Sequence, residues 1–115
     1  MKFSISREDL LHLLQAVIGV VERRQTMPIL ANVLVVTRNG EIAVTATDLE
    51  VELVARSEAE GIEATGEITV PGRKLLDICR ALPDTAMLKV ALEGDRLILR
   101  SGRSRFVLST QPAAD

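Results

Sequence analysis

The sequence predicts a single α+β domain in which two helices pack on antiparallel strands. The apolar and polar pattern of residues 3–17 recurs at residues 68–82, so one structural unit is present twice. Each copy reads as a strand, a helix and about three further strands, which is a β-α-β-β-β unit. The chain has 115 residues, 47% hydrophobic and 26% charged, as expected for one globular domain. Repeating the unit predicts a layer of strands covered by a layer of helices.

The first copy begins with a strand at residues 2–6, where polar and apolar side chains alternate. Ser6 and Asp9 then form a Ser-x-x-acid pattern that is typical of a helix start. Apolar residues follow at helical spacing and predict one buried helix face: Leu10, Leu11, Leu14, Val17, Ile18 and Val21. Three strands are predicted next, at residues 33–38, 41–46 and 49–54. Asn39-Gly40 is a strong hairpin signal between the first two.

The second copy repeats this order after a predicted connecting loop at residues 57–66. A strand at 67–70 leads to Pro71, which suits the first turn of a helix. The buried stripe of this helix is Leu75, Leu76, Cys79 and Leu82, and its exposed side carries Arg73, Asp77 and Arg80. The remaining strands are predicted at residues 87–92, 96–101 and 103–109.

The two copies differ in length after their helices. The first copy holds about ten extra residues, in or near residues 21–30, and this extra loop contains Arg23 and Arg24. A loop longer than its connection requires is often where function lies. Arg23 and Arg24 are therefore candidate functional residues, together with the exposed Arg73, Lys74 and Arg80 of the second helix.

Charge is segregated along the chain although the net charge is only −2. Seven acids lie between residues 48 and 67 (Asp48, Glu50, Glu52, Glu58, Glu60, Glu63 and Glu67), with Arg56 as the only base among them. Residues 96–114 contain four arginines and no acid. A chain that separates its charges in this way can present one basic face to phosphates while other faces repel them.

The chain contains few candidate residues for catalysis or for metal binding. His12 is the only histidine and Cys79 the only cysteine, which excludes a zinc site built from Cys and His ligands alone within the chain. Asp48, Glu50 and Glu52 share one face of a predicted strand, where they could hold a divalent metal in a phosphoesterase or form a solvated strand face. A lone cysteine, no signal peptide and no long apolar run predict a cytoplasmic protein without membrane contact.

The remaining candidates concern binding. Without Trp or Tyr and with only two Phe, the chain cannot stack bases as single-strand binders do, so nucleic acid would bind as duplex, through phosphates and independently of sequence. In the last strand, Phe106 and Leu108 share one face while Arg103 and Arg105 share the other. The apolar pair belongs either to the core or to an edge that meets an acidic partner.

Six segments of the chain together resemble the N-terminal domain of the bacterial DNA polymerase III beta subunits, the replicative sliding clamps. The segments are 1–3 (Met-Lys-Phe), 26–30 (Thr-Met-Pro-Ile-Leu), 47–50 (Thr-Asp-Leu-Glu), 71–74 (Pro-Gly-Arg-Lys), 77–83 and 101–106. The resemblance covers the whole chain. It implies a clamp-type domain, the first of three at residues 1–115, in a head-to-tail ring dimer around duplex DNA. The helices would line the hole, and no catalytic residue, metal or cofactor would be needed.

The resemblance also implies the partners and the site residues. DNA polymerase and the clamp loader would bind through later domains, and a truncated clamp paralogue with a regulatory role stays a possible alternative. The expected DNA contacts are Arg24 and Arg73, with Arg23 and Arg80 beside them. The expected subunit interface consists of Lys74, Arg96, Arg103, Arg105, Phe106 and Leu108. Residues 20–23 (Val-Val-Glu-Arg) replace the glycine-rich form of the loop that is usual in the family.

Overall fold

The computed structural model of the protein describes residues 1–23, 32–47, 52–59 and 61–112, with the backbone alone at 20–23. The first copy contains β1 (Lys2–Ser6), α1 (Arg7–Arg23), β2 (Asn32–Arg38), β3 (Glu41–Thr47) and β4 (Glu52–Glu58). A short strand, β5 (Gly61–Ala64), follows it. The second copy contains β6 (Gly66–Pro71), α2 (Gly72–Ala81), β7 (Met87–Glu93), β8 (Arg96–Ser101) and β9 (Ser104–Ser109). The predicted order of the other elements is confirmed, whereas β5 was not predicted.

The strands form two antiparallel sheets rather than one. The five-stranded sheet has the order β5-β1-β7-β8-β9, and the four-stranded sheet has the order β4-β3-β2-β6. The first strand of each copy is exchanged, since β1 pairs with β7 of the second copy and β6 pairs with β2 of the first. Each copy therefore completes the sheet of the other. This exchange ties the two repeats into one domain and confirms the predicted α+β class with its duplicated unit.

Local signals in the sequence fix the starts and turns of several elements. The Ser6 hydroxyl accepts a hydrogen bond from the backbone N–H of Asp9 at 3.1 Å, so the predicted cap of α1 is formed. Asn39 and Gly40 have φ values of 52° and 76°, the left-handed conformation that a tight hairpin turn requires. The hairpin between β2 and β3 is therefore where the Asn-Gly signal placed it.

One hydrophobic core joins both helices and both sheets. Its fully covered members include Leu14 of α1, Leu76 and Cys79 of α2 and Leu99 of β8. The core lies between the sheets and the helices, so each sheet keeps one outer face that points away from the helices. Thr37 is the only described buried polar residue, and its hydroxyl has no hydrogen-bond partner.

Arg7 ties the two helices together at one end. Its Nε donates a hydrogen bond to the carbonyl oxygen of Cys79 at 2.7 Å, and its Nη1 lies 3.2 Å from Oδ1 of Asp84. Its backbone N–H also donates to the carbonyl oxygen of Ala86 at 2.9 Å. A cation is favourable at this place because the last carbonyl groups of α2 carry the negative end of the helix dipole. The first residue of α1 thus closes the last turn of α2.

The connection between the copies differs from the prediction. The strand expected at 49–54 is found at Glu52–Glu58, and the loop expected at 57–66 contains the end of β4 and the whole of β5. β5 forms because it adds an outer strand to β1, and Gly61 approaches Ser4 so closely that an added Cβ would lie 3.0 Å from the Ser4 carbonyl oxygen. This tertiary pairing has no local signal in the sequence.

The extra length of the first copy also needs a correction. α1 has 17 residues and α2 has 10, so part of the extra segment is helix rather than loop. Arg23, expected in the loop, is the last residue of α1. The remainder of the predicted loop, including Arg24, lies outside the described residues.

Candidate nucleic-acid interface

The exposed face of α2 carries the predicted cations Arg73 and Arg80 about two helical turns apart, with Asp77 between them. Leu75, Leu76 and Cys79 are buried beneath it, which leaves Arg73, Asp77 and Arg80 in solvent. Nε of Arg73 lies 3.3 Å from Oδ1 of Asp77, an i,i+4 ion pair whose side chains are both more than half exposed. Such a surface pair contributes only about 0.3–0.5 kcal/mol, so a phosphate can replace the carboxylate at little cost.

The N-terminal end of α2 is electropositive. Its cap residue, Pro71, provides no side-chain hydrogen bond, and its first turn contains no acid. Arg73 and Lys74 lie in that turn instead, where the positive end of the helix dipole opposes cations and favours anions. α1 follows the usual pattern, with Glu8 and Asp9 in its first turn. The side chains in the first turns of the two helices therefore differ in the sign of their charge, and only the start of α2 attracts an anion.

The described residues bring together part of the predicted DNA site. Arg73 and Arg80 share the exposed face of α2, and Arg80 has no ion pair within the described part of the chain. Arg24 lies outside the described residues, and the side chain of Arg23 is likewise not described. That Arg24 lies beside this face of α2 therefore remains a prediction.

The acidic row considered for metal chemistry is only partly described. Asp48 and Glu50 lie outside the described residues, while Glu52 is exposed at the start of β4 opposite Thr47. Within residues 1–23, 32–47, 52–59 and 61–112, no three His, Cys, Asp or Glu side chains gather as metal ligands.

The residues predicted for a subunit interface lie on α2, β8 and β9 and in the turn before β9. Lys74 is exposed on α2, Arg96 is exposed on β8, and Arg103 lies in the turn before β9. Arg105 is exposed on β9 and points away from the core. Nε of Arg96 lies 3.9 Å from Oδ1 of Asp95, an ion pair too exposed to hold the arginine against a better partner.

The two apolar residues predicted for the subunit interface, Phe106 and Leu108, both pack against the core of this domain. The side chain of Leu108 is only 6% exposed and belongs to the core, and Phe106 is half-buried against the same core. The two residues share one face of β9, as predicted, but that face is the inner one because its cross-strand partners, Leu97 and Leu99, are themselves buried. Phe106 keeps an exposed part that a neighbour could cover. The interface role of Phe106 and Leu108 remains a prediction.

The only cysteine of the chain lies in the core, and its only histidine lies on the surface. Cys79 is fully covered, and burial raises the pKa of its thiol from 9.0 to about 11, against the opposing effect of the nearby Arg7 guanidinium. A thiol with this pKa is protonated and unreactive at neutral pH. His12 is exposed on α1. The predicted burial of Cys79 is therefore confirmed.

Comparison with known proteins decides the family. The model of the family described as DNA polymerase III beta subunit, N-terminal domain, matches residues 1–115. The chain belongs to the DNA polymerase III beta subunit family. It is 54% identical over 115 residues to the beta sliding clamp of Pseudomonas putida and 52% identical to that of Escherichia coli. It covers 31% of the length of each. It is also 53% identical to the beta sliding clamp of Vibrio harveyi, of which it covers 79%.

Solved structures of beta subunits have the same fold. The crystal structure of the subunit from Pseudomonas aeruginosa superposes with a TM-score of 0.94 at 50% identity, and covers all of this chain with 31% of its own. The sliding clamp of Caulobacter crescentus gives a TM-score of 0.93 at 43% identity and the same coverage. The clamp-type fold predicted from the sequence is therefore confirmed. The chain spans about a third of most of the curated beta subunits it resembles.

Some features of the beta subunit domain could not be found in its sequence. The interhelical role of Arg7 had no signal beyond a base at the start of a helix, where acids are more usual. The anion-favouring start of α2 was visible as Pro71-Gly72-Arg73-Lys74 without an acid, but its significance depends on exposure.

Among the described helices, none is long and apolar enough to cross a membrane.

Proposed function

We propose that the chain is the first domain of a ring-shaped sliding clamp that holds a replicative polymerase on duplex DNA and catalyses no reaction itself. The observation that carries this proposal is the exposed basic face of α2 at an uncapped helix start, on a domain of the beta subunit family. In this proposal the helix layer faces the duplex and the sheets form the outside of the ring.

Contact with DNA is weak and independent of sequence in this proposal. Arg73 and Arg80 reach phosphates, while the helix layer offers no aromatic side chain to stack on a base. The Arg73–Asp77 ion pair and the acids Glu8 and Asp9 of α1 limit the attraction. Weak attraction suits a clamp, because a ring must move along DNA without being held at any one site. Arg24 and Arg23 would extend the same contact.

Joining to neighbours uses two open sheet edges in this proposal. β4 and β9 are the last strands of the two copies, and each pairs with one strand of its own sheet. The β4 edge carries the acids Glu52 and Glu58 and one base, Arg56, so its net charge is negative. The β9 edge carries Arg105, next to Arg103 in the preceding turn. Edges of opposite charge favour head-to-tail contacts, which close into rings. Each edge also exposes a valine, Val54 and Val107.

The ring is a head-to-tail dimer in this proposal. Phe106 and Leu108 provide the apolar contact, and four cations meet acids of the neighbouring subunit: Lys74, Arg96, Arg103 and Arg105. The polymerase and the clamp loader bind through parts of the full-length subunit that this chain does not span. The clamp acts in the cytoplasm, where bacterial DNA is replicated.

The test is DNA binding by the full-length subunit that carries this domain. Arg73→Ala with Arg80→Ala should weaken binding to a duplex oligonucleotide at low salt and reduce the slope of log affinity against log salt by about two. The matched control is Arg38→Ala with Arg56→Ala, which removes the same charge from the outer face of the four-stranded sheet. Equal losses in the two variants would show general electrostatics and remove the assignment of α2 to DNA.

A further inference from the structure

The outer face of the five-stranded sheet carries a row of cations. Lys89 of β7 lies opposite Arg100 of β8, which in turn lies opposite Arg105 of β9. All three side chains are exposed, while the neighbouring residues Val90 and Leu99 are buried on the inner face. The row therefore crosses three strands on the side of the sheet that is opposite to the helices.

Few carboxylates neutralise this row within the described residues. Nη1 of Arg100 lies 4.0 Å from Oε2 of Glu93, a long contact between two half-exposed side chains. Lys89 and Arg105 have no ion pair in the described part of the chain. Like charges placed directly opposite each other in a sheet are destabilising. The row thus costs the domain some stability unless another molecule supplies acids.

A shallow groove of about 230 Å³ lies beside the row, over β1, β7 and β8. Its charged lining consists of Lys2, Lys89, Arg100 and Glu63. Nζ of Lys2 lies 3.3 Å from Oε2 of Glu63, so the pair is neutral and leaves the charges of Lys89 and Arg100 in excess. The groove and the row together form a basic patch that does not include Arg73 or Arg80.

We propose that Lys89 and Arg100 form a docking site for an acidic helix of a protein partner, with Arg105 at its border. Residues opposite each other on adjacent strands lie about 5 Å apart. Acids one turn apart on a helix are spaced by about 5–6 Å, so a helix that crosses the strands can place successive carboxylates over successive cations. An extended peptide lying along a strand would meet only one member of the row, because its same-face side chains follow the strand direction.

A protein partner is preferred to nucleic acid, and this choice rests on the proposed function. If the duplex passes along the helix layer, the outer face of the same domain points away from it and is open to proteins. Arg105 is shared with the predicted subunit interface, so the variants that test the site are restricted to Lys89 and Arg100. The docking site is thereby continuous with the interface but can be changed separately from it.

The experiment uses the 115-residue chain and a synthetic alanine-rich helical peptide with glutamates at i, i+4 and i+7. Binding is followed by amide chemical shifts at low salt, and we expect perturbations at Lys89 and Arg100 but not at Thr45 on the outer face of the other sheet. Lys89→Ala with Arg100→Ala should weaken binding about 2- to 30-fold, the range for loss of two exposed ion pairs. Arg38→Ala with Arg56→Ala is the control of equal charge and should leave it unchanged.

Three results would overturn the proposal. The first is that a peptide with glutamine in place of glutamate binds with the same affinity. The second is that the Lys89 and Arg100 variant binds the peptide with unchanged affinity. The third is that a duplex oligonucleotide perturbs the same amides more strongly than the peptide does. The outcome is separable from that for the proposed function, because the DNA test changes Arg73 and Arg80 and leaves this patch intact.

Discussion

Arg7 should be among the most costly single charged residues to remove from this domain. Its side chain is 14% exposed, and its Nε donates to the Cys79 carbonyl oxygen at 2.7 Å. A hydrogen bond to a charged group contributes about 1.5–3 kcal/mol to stability. The Asp84 partner is 91% exposed, so this ion pair adds little to that figure. Arg7→Ala should therefore lower the free energy of unfolding by about 2–3 kcal/mol.

This loss is large enough to measure by thermal or urea unfolding. A domain of 115 residues has an unfolding entropy near 0.24 kcal/mol/K, so 1 kcal/mol corresponds to about 4 °C in Tm. Arg7→Ala should lower Tm by about 8–12 °C. Arg73→Ala removes the same side chain from an exposed i,i+4 pair and should lower it by no more than about 2 °C. Asp84→Ala should behave like Arg73→Ala.

Two results would refute this reasoning. If Arg7→Ala unfolded within about 2 °C of the unchanged protein, the contact with Cys79 would carry no net energy. If Asp84→Ala cost as much as Arg7→Ala, the energy would lie in the exposed ion pair instead. A double-mutant cycle between positions 7 and 84 separates the two contributions.

Three further predictions address other residues. Unfolded Cys79 loses its proton near its ordinary pKa of 9.0 while the folded protein keeps it to about 11, so stability from this thiol is complete below pH 9 and falls between these values; urea unfolding of Cys79→Ala should show a smaller fall. Thr37→Val should leave stability unchanged or raise it by about 1 kcal/mol, because the buried hydroxyl has no partner; a loss above 1 kcal/mol would indicate an unseen partner. Purified protein with Mg²⁺ or Mn²⁺ should not hydrolyse DNA or phosphate esters, and turnover abolished by Asp48→Asn would reverse this.

The elements with strong local signals could be predicted from the sequence. β1 and β8 were predicted at their observed bounds, because strict alternation and adjacent turns or caps fix where they begin and end. β4 was displaced by several residues, since alternation determines which residues share a face but not where the strand stops. β5 was missed because a four-residue strand forms only through its pairing with β1.

The candidate site was predictable to a similar extent. Helical spacing was enough to place Arg73 and Arg80 on the exposed face of α2. For β9, the period placed Phe106 and Leu108 on one face but could not say whether that face points inward, which depends on the buried partners Leu97 and Leu99. The cation row of Lys89, Arg100 and Arg105 depends on strand register, which is a tertiary property.

The central claim, that this domain is part of a ring around DNA, is tested most directly by cutting the DNA. The full-length subunit that carries this domain is loaded onto nicked circular DNA, isolated at a salt concentration that removes electrostatic binding, and then treated with an enzyme that linearises the circle. A ring held by topology should remain on the circle and leave through the new ends within minutes of cutting. Equal retention on circular and linear DNA, or loss from both at that salt concentration, would contradict the account.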